Sequence, residues 1–404
     1  MTNSPLPVVG IGADGWTGLT TAAQAALRQA EVILGGRRHL DLLPEDITAE
    51  RAPWPSPMLP ALPGLLDAHA GRRIAVLASG DPMFYGVGAT LARLLGPTAV
   101  RVLPHPSAAA LACARLGWPA EDVEVVSVVG RPLAGLLLSL APGRRLLVLS
   151  ADAGSPAAIA GLLRESGYGA SGITVAEQLG GPGERRTAGS ALNPPAGPFD
   201  PLNLVAVECV ADGGVTPLPR VPGLPDDTYA TTDGQLTKRE IRAITLARLG
   251  PLPGQLLWDV GAGSGSVGIE WMRAHPSCRA IAVESQASRA AHIAGNAEAL
   301  GVPGLTVVVG AAPAALVDLP SPDAVFVGGG VTADGVLDAC WAALRPGGRL
   351  VANAVTVESE TVVAGWRARL GGELTRISIS RATPVGGFTG WRPAMPITQW
   401  VVTK

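Results

Sequence analysis

A run of glycines and two carboxylates in the C-terminal half have the composition and order of a nucleoside site. The segment Trp258-Asp259-Val260-Gly261-Ala262-Gly263-Ser264-Gly265-Ser266 follows an apolar run, and the next apolar run ends in Glu284. Glycines let the backbone turn sharply and let a ligand approach where a Cβ would clash. A carboxylate at a strand end accepts hydrogen bonds from ribose hydroxyls. The pattern predicts a nucleoside at Glu284, with Asp259 facing a cationic ligand.

The glycine spacing separates two classes of nucleoside. A dinucleotide fingerprint needs its third glycine at position 266, which is Ser. S-adenosylmethionine has no pyrophosphate to hold, so the spacing favours a methyltransferase. A nicotinamide-dependent oxidoreductase remains an alternative, as does a glycine turn that binds nothing. Residues 328–330 are all Gly and lack the Asn/Asp-Pro-Pro-aromatic group that holds a substrate amine, so methylation of an amino group is disfavoured.

The elements around this segment alternate regularly, as a doubly wound α/β sheet requires. The apolar pattern predicts helices over 238–249, 267–275, 288–300, 336–344 and 358–370, and strands over 256–260, 280–284, 306–309, 324–327, 349–354, 376–380 and 397–402. The N-terminal half also alternates, with strands predicted over 6–11, 32–34, 74–78, 100–103, 123–129, 146–149, 173–176 and 204–209.

Composition limits the possible partners. The net charge of −2 gives no electrostatic case for nucleic acid or membrane binding. No segment is long and apolar enough to span a bilayer, and scattered cysteines predict reduced thiols in a cytoplasmic protein and no metal site.

Residues 211–234 are rich in Pro and Gly. We predict domains at 1–210 and 231–404, each able to fold alone, with 211–230 as the linker.

Three motifs in the C-terminal half resemble the decarboxylating precorrin methyltransferases, which have a class-I methyltransferase fold. They are Thr237-Lys238-Arg239-Glu240, Val309-Gly310-Ala311-Ala312-Pro313 and Val351-Ala352-Asn353-Ala354. Leu344-Arg345-Pro346-Gly347-Gly348 is similar to the turn before the fifth strand of that fold. Many relatives have Asp where Ala311 stands, so a backbone contact must serve there. The resemblance implies S-adenosylmethionine contacts at Thr237, Asp259, Gly261, Ala262, Gly263, Ser264, Gly265, Glu284, Ala311 and Ala312.

The N-terminal half has a different glycine motif, Val9-Gly10-Ile11-Gly12-Ala13-Asp14-Gly15. It formally fits a dinucleotide turn, but the next strand ends in Gly35-Gly36 with no acid for a ribose. With residues 78–86, 104–108 and 177–178, this half instead resembles the tetrapyrrole methylases, which are two-lobed α/β domains. That resemblance implies S-adenosylmethionine folded in a cleft at Gly10, Gly12, Gly80, Asp81, Pro82, Tyr85, Ser107 and Ala108, although Asp81 can be read as a turn residue only.

Together the halves resemble a fusion of these two methyltransferase families. The implied reaction is transfer of methyl groups to carbons 5 and 15 of a precorrin, with loss of carbon dioxide from the ring C acetate, by a homo-oligomer. Either a metal-free or a cobalt-bearing substrate fits, and one half could instead act only as a binding module. Arg37, Arg38, Arg131, Arg239, Arg381 and Arg392 are candidates for holding substrate carboxylates. We assign no catalytic residue, and His39 and His105 receive no role.

Overall fold

The computed structural model of the chain describes residues 4–231, 234 and 236–404, which form two compact units. Unit 1 ends at Val215 and unit 2 begins at Thr216, except that the short segment Ala134–Leu138 belongs to unit 2. Both units mix helices with strands, so the predicted α/β class is confirmed. In the part of the chain described, no helix is long and apolar enough to cross a bilayer. The domain bounds of 1–210 and 231–404 stay a sequence-based prediction, which truncation of the chain tests.

Unit 1 contains two sheets. The strands are β1 Leu6–Ile11, β2 Val32–Gly35, β3 Glu50–Pro53, β4 Ile74–Ser79, β5 Val100–Leu103, β6 Val123–Ser127, β7 Arg145–Leu149, β8 Gly172–Glu177, β9 Arg185–Ser190 and β10 Asn203–Glu208. The helices are α1 Thr21–Gln29, α2 Arg37–Asp41, α3 Met58–Ala68, α4 Val87–Leu95, α5 Ala108–Leu116 and α6 Ser155–Glu165. The first sheet is parallel, in the order β3-β2-β4-β1-β5. The second has the order β6-β7-β10-β8-β9 and is mainly antiparallel.

Burial explains which strands of unit 1 the sequence revealed. The side chains of Val9, Ile33 and Leu77 are fully buried in the first sheet, as expected for parallel strands covered on both faces. The edge strands β3 and β9 were missed because most of their residues are exposed and polar or small, so they carry no apolar alternation.

Unit 2 contains one large sheet and a separate hairpin. The helices are α7 Arg239–Leu249, α8 Ser266–Ala274, α9 Ala287–Ala299, α10 Val336–Ala343 and α11 Val357–Leu370. The strands are β11 Leu256–Val260, β12 Arg279–Glu284, β13 Thr306–Val309, β14 Ala324–Val327, β15 Arg349–Ala354, β16 Glu373–Ile377, β17 Ser380–Val385, β18 Phe388–Pro393 and β19 Ile397–Thr403. The prediction of one strand over 376–380 was wrong, because β16 ends at Ile377 and the β17–β18 hairpin begins at Ser380.

The strand order of the large sheet creates a crevice. The order is β13-β12-β11-β14-β15-β19-β16, parallel as far as β15 and antiparallel beyond it. The chain runs outward from β11 through β12 to β13 and then returns to the other side of β11 as β14. Such a reversal leaves a crevice at the carboxyl ends of β11 and β14, which is where doubly wound sheets bind ligands.

A buried ionic network fastens the predicted linker to unit 2. The Glu270 carboxylate accepts hydrogen bonds from the backbone N–H of Gly223 and Leu224, at 2.6 and 3.0 Å, and from the hydroxyl of Tyr229 at 2.8 Å. Arg242, which is fully buried, donates to the same carboxylate from Nε at 2.6 Å and to the Thr237 carbonyl at 2.5 Å. The segment 223–230 is therefore part of the packed unit, although the sequence predicted a linker there.

Candidate functional site

A cavity of about 700 Å³ opens in unit 2 at the crevice of the large sheet. This volume is typical of sites for small-molecule ligands. The predicted contact residues that line it are Thr237, Gly261, Ala262, Gly263, Glu284, Ala311 and Ala312, whereas Asp259, Ser264 and Gly265 do not. Three separate loops and one strand end thus meet around one space.

Glu284 lies at the end of β12 with its side chain almost fully buried. Its Oε2 accepts a hydrogen bond from the Gly263 N–H at 2.9 Å, and its Oε1 accepts one from the Gln286 N–H at 3.0 Å. The Arg289 guanidinium lies 3.9 Å from Oε1. The Ser285 hydroxyl donates to the same Oε1 at 3.4 Å. A carboxylate has about four acceptor positions, so Glu284 is held in place and its Oε2 still has capacity for a ligand hydroxyl.

The glycine turn has no room for a side chain at Gly261. Its φ is +70°, and a Cβ there would lie 2.7 Å from backbone atoms of Gly329. The Gly328-Gly329-Gly330 segment follows β14 and lines the cavity together with Gly261. Both loops therefore present backbone to the cavity, and a ligand can approach them closely.

Gly265 and Ser264 belong to the support of the turn. Gly265 precedes α8 with a φ of +76°, and a Cβ there would lie 2.6 Å from the Ile293 side chain. Ser264 is buried, and its carbonyl accepts a hydrogen bond from Asn296 at 3.0 Å. These two residues hold α8 and α9 together behind the cavity.

Asp259 is fully buried and does not line the cavity, so the expectation that it faces a cationic ligand is not met. Its Oδ2 accepts a hydrogen bond from the Gly268 N–H at 2.9 Å, and its Oδ1 has no hydrogen-bond partner among the described residues. Burial raises the pKa of the Asp259 carboxyl to about 7, and the nearby Glu284 charge adds to that rise. Asp259 fastens the start of α8 to β11.

Sequence reasoning gave no role to Asn353, which lines the cavity near the carboxyl end of β15. Its Nδ2 donates to the Thr245 hydroxyl at 3.1 Å, and its Oδ1 accepts from Gln399 at 2.9 Å. Both partners are buried, so these two hydrogen bonds fix the orientation of the Asn353 amide. Asn353 belongs to one of the family motifs, but only the sheet shows that β15 brings it to the cavity.

Unit 1 gathers its predicted residues around a much smaller space. A cavity of about 50 Å³ lies near the carboxyl ends of β1 and β4. Gly12, Gly80 and Ala108 line it, and Gly10, Asp81, Pro82, Tyr85 and Ser107 do not. A Cβ on Gly10 would lie 1.9 Å from the Gly80 carbonyl oxygen, so β1 and the turn after β4 are in close backbone contact.

The remaining predicted residues of unit 1 have local roles in this structure. Asp81 accepts a hydrogen bond from the Met83 N–H at 2.8 Å, which is the turn role left open by the sequence. Ser107 caps α5 by accepting from the Ala110 N–H at 3.1 Å. The Tyr85 hydroxyl donates to the Val125 carbonyl at 3.1 Å, and the Arg131 guanidinium lies over the Tyr85 ring.

An imidazole and a carboxylate are paired beside the small cavity. His105 Nε2 lies 3.1 Å from Asp14 Oδ2, and His105 Nδ1 lies 3.3 Å from the Pro106 carbonyl. Arg38, a predicted carboxylate anchor, lines the cavity and has Nη2 3.4 Å from the Ser79 hydroxyl. Polar side chains thus lie at or beside a space whose other lining residues are small or apolar, among them Leu111, Leu179 and Leu202.

Comparison with known families identifies each half. Residues 5–192 match the model for tetrapyrrole (corrin/porphyrin) methylases, and residues 227–404 match the precorrin methyltransferase domain. These matches confirm the two family resemblances read from the sequence.

Individual relatives match the whole chain or about half of it. The chain is 52% identical to a precorrin-6Y C(5,15)-methyltransferase [decarboxylating] from Sinorhizobium sp, over 99% of this chain and 96% of the relative. It is 34% identical to a cobalt-precorrin-7 C(5)-methyltransferase from Salmonella typhimurium, over 45% of this chain and 88% of that one. It is 33% identical to a probable cobalt-precorrin-6B C(15)-methyltransferase (decarboxylating) from Pyrobaculum calidifontis, over 44% of this chain and 93% of that one.

Proposed function

We propose, because the chain belongs to the family of decarboxylating precorrin-6Y C(5,15)-methyltransferases, that it methylates precorrin-6B at carbons 5 and 15 and removes the carboxyl of the ring C acetate. The chain is a methyltransferase that acts on a tetrapyrrole. The proposed methyl donor is S-adenosylmethionine, the proposed product is precorrin-8X and the pathway is cobalamin biosynthesis.

The observation that carries the proposal is the position of Glu284 at the strand end, beside a glycine turn and inside a cavity of about 700 Å³. A buried carboxylate with spare acceptor capacity fits the ribose hydroxyls of S-adenosylmethionine. The backbone of Gly261 and Gly263 fits a ligand that needs close approach and has no phosphate. When bound, S-adenosylmethionine supplies an electrophilic methyl group.

The proposed reaction requires few catalytic side chains. A meso carbon of a reduced macrocycle is an enamine-like nucleophile, so the protein must mainly hold the acceptor in line for attack. Such positioning can contribute roughly 7–11 kcal/mol to lowering a barrier. The fixed Asn353 amide and the glycine loops orient ligands in unit 2 without a charged base among them. Loss of carbon dioxide can use the conjugated imine of the macrocycle as its electron sink.

We assign methylation at carbon 5 to unit 1 and methylation at carbon 15 with decarboxylation to unit 2. Relatives about half as long support this division, since one is named for carbon 5 alone and another for carbon 15 with decarboxylation. A second candidate substrate, the cobalt-bearing precorrin, is favoured by the same two names. We place the enzyme in the cytoplasm, which the four buried free cysteines support, as a homo-oligomer without nucleic acid or membrane partners.

The test is the mass of the product formed from metal-free precorrin-6B with isotopically labelled S-adenosylmethionine. The proposal expects a gain of two labelled methyl groups and the loss of one carbon dioxide. A parallel reaction with the cobalt-bearing substrate distinguishes the two substrates. Consumption of a nicotinamide cofactor without methyl transfer would contradict the proposal.

A further inference from the structure

The β17–β18 hairpin of unit 2 forms a two-stranded sheet of its own among the described residues. The residues at its base, Ile379, Arg381, Ala394 and Met395, line the large cavity. The hairpin is thus an extension of the cavity wall. A two-stranded ribbon is marginally stable by itself in water, so its persistence here calls for a role.

The register of the hairpin sorts its side chains into two faces. Arg381 pairs with Arg392, and Val385 pairs with Phe388, whereas Ala382 pairs with Trp391. Because side chains alternate along a strand, one face carries Arg381, Thr383, Val385, Phe388, Gly390 and Arg392. We call it the arginine face. Arg381 lines the cavity, so this face adjoins the cavity and Trp391 lies on the opposite face.

The arginine face breaks a rule of sheet pairing. Like charges directly across a ribbon destabilise it, and Arg381 and Arg392 are directly across. Glu240 forms an ion pair with Arg381, whereas the Arg392 guanidinium has no hydrogen bond or ion pair with any residue that the structure describes. The two guanidinium groups carry two positive charges and Glu240 carries one negative charge. The rim of the cavity therefore keeps a net positive charge.

The tip of the same face is apolar and open. The Phe388 side chain is 84% exposed and that of Val385 is 62% exposed. Exposure of an aromatic ring to water is unfavourable, and contact with another flat apolar surface removes that cost. The face therefore presents cationic groups at its base, where Arg381 lines the cavity, and an aromatic surface at its tip.

We propose that the arginine face binds the tetrapyrrole acceptor of unit 2, with Arg381 and Arg392 on its peripheral carboxylates and Phe388 against its ring system. The proposal rests on the proposed function and names the residues that would select a polycarboxylate macrocycle. Arginine pairs with carboxylates bidentately, and Arg381 retains donors beyond the one that meets Glu240. Charge and shape therefore both complement the acceptor.

The test compares Phe388→Ser with Trp391→Ser, two exposed aromatic residues on opposite faces of one hairpin. Binding of uroporphyrin, an octacarboxylate tetrapyrrole, is measured on the full chain by fluorescence quenching, and S-adenosylhomocysteine binding is measured by calorimetry. We expect Phe388→Ser to weaken one class of uroporphyrin sites at least tenfold, Trp391→Ser to change it less than twofold, and neither to alter S-adenosylhomocysteine affinity.

A charge variant completes the test. Arg392→Gln should weaken the same class of uroporphyrin sites at least fivefold and reduce its salt dependence, and the exposed Arg367→Gln on α11 should do neither. Equal effects of Phe388→Ser and Trp391→Ser would overturn the inference, as would a changed number of subunits in sedimentation for Phe388→Ser, since the face would then be an interface between copies. Failure of wild-type protein to bind S-adenosylhomocysteine would contradict the proposed function, while the uroporphyrin comparison would still decide this inference.

Discussion

The two units place their candidate sites at the same position of a sheet and form them differently. Unit 2 has a cavity of about 700 Å³ with a buried acid, Glu284, at a strand end. Unit 1 has a space of about 50 Å³ where Gly10 of β1 lies against the Gly80 carbonyl, and among the described residues no acid lines it. A preformed cavity of about 700 Å³ can bind a nucleoside without rearrangement, whereas a space of about 50 Å³ is too small to enclose one. The same ligand should therefore depend on a side chain in unit 2 and on backbone in unit 1.

Truncation within unit 2 should give the largest effect, because it can remove a segment that is held by buried hydrogen bonds. A chain of residues 216–404 keeps the segment that Glu270 and Arg242 hold, and a chain of 231–404 loses it. Removing three donors from a buried carboxylate, together with the buried Leu224, should cost more than about 5 kcal/mol, comparable with the stability of a whole domain.

We therefore expect 216–404 to fold and bind S-adenosylhomocysteine, and 231–404 to be largely unfolded by circular dichroism. The segment Ala134–Leu138 can be added back as a peptide to the longer chain as a control. Equal stability of the two chains would show that the buried network is dispensable and that the sequence-based boundary was correct.

Gly261→Ala should remove binding at unit 2 alone. The new Cβ would meet the Gly329 backbone at 2.7 Å in a conformation with positive φ. Affinity for S-adenosylhomocysteine should fall at least about 100-fold, or about 2.7 kcal/mol. Gly254→Ala is the matched control, since Gly254 has a φ of +85° and no atom within 4 Å of the added Cβ. Loss of both sites by calorimetry would mean that the two units are not independent.

Glu284→Gln should weaken the same site by a smaller factor. The amide oxygen can still accept from the Gly263 N–H, so the turn is retained while the charged acceptor is lost. We expect a loss of roughly 1.5–3 kcal/mol in S-adenosylhomocysteine binding at unit 2 and none at unit 1. The exposed Glu298→Gln on α9 serves as the control. An unchanged affinity would remove Glu284 from the site.

Asp259→Asn should change only the pH dependence of unit 2. The folded pKa of about 7 lies above the unfolded value of about 3.9, so the folded state binds more protons between these pH values. Stability therefore falls as pH rises from about 4 to about 7, by up to about 1.4 kcal/mol per pH unit. The variant should lose this slope in urea unfolding measured between pH 5 and 7. A slope equal to that of the wild type would show that Asp259 is ionised in the folded state.

The fold was predictable where burial imposed an apolar pattern. Strands β11, β14 and β15 were predicted with their observed bounds, because they are buried and flanked by turns. The hairpin was not predicted, because Phe388 and Trp391 are exposed. Apolar residues that face water do not indicate a packing partner.

The candidate site was predictable for residues that act through local motifs and not for those that act through distant contacts. Gly261 and Glu284 could be identified by their positions after apolar runs. The direction of the Asp259 carboxylate depends on where α8 begins, through its bond to Gly268. The role of Asn353 depends on Gln399, which β19 places beside β15 by antiparallel pairing. Neither contact leaves a sequence pattern.

The central claim is that one chain carries two separate S-adenosylmethionine sites, and counting them is the most direct test. Calorimetric titration of the full chain with S-adenosylhomocysteine should give two molecules per chain, falling to one in Gly261→Ala. A value of one in the wild-type chain, abolished by Gly261→Ala, would show that unit 1 does not bind the cofactor and would contradict the account.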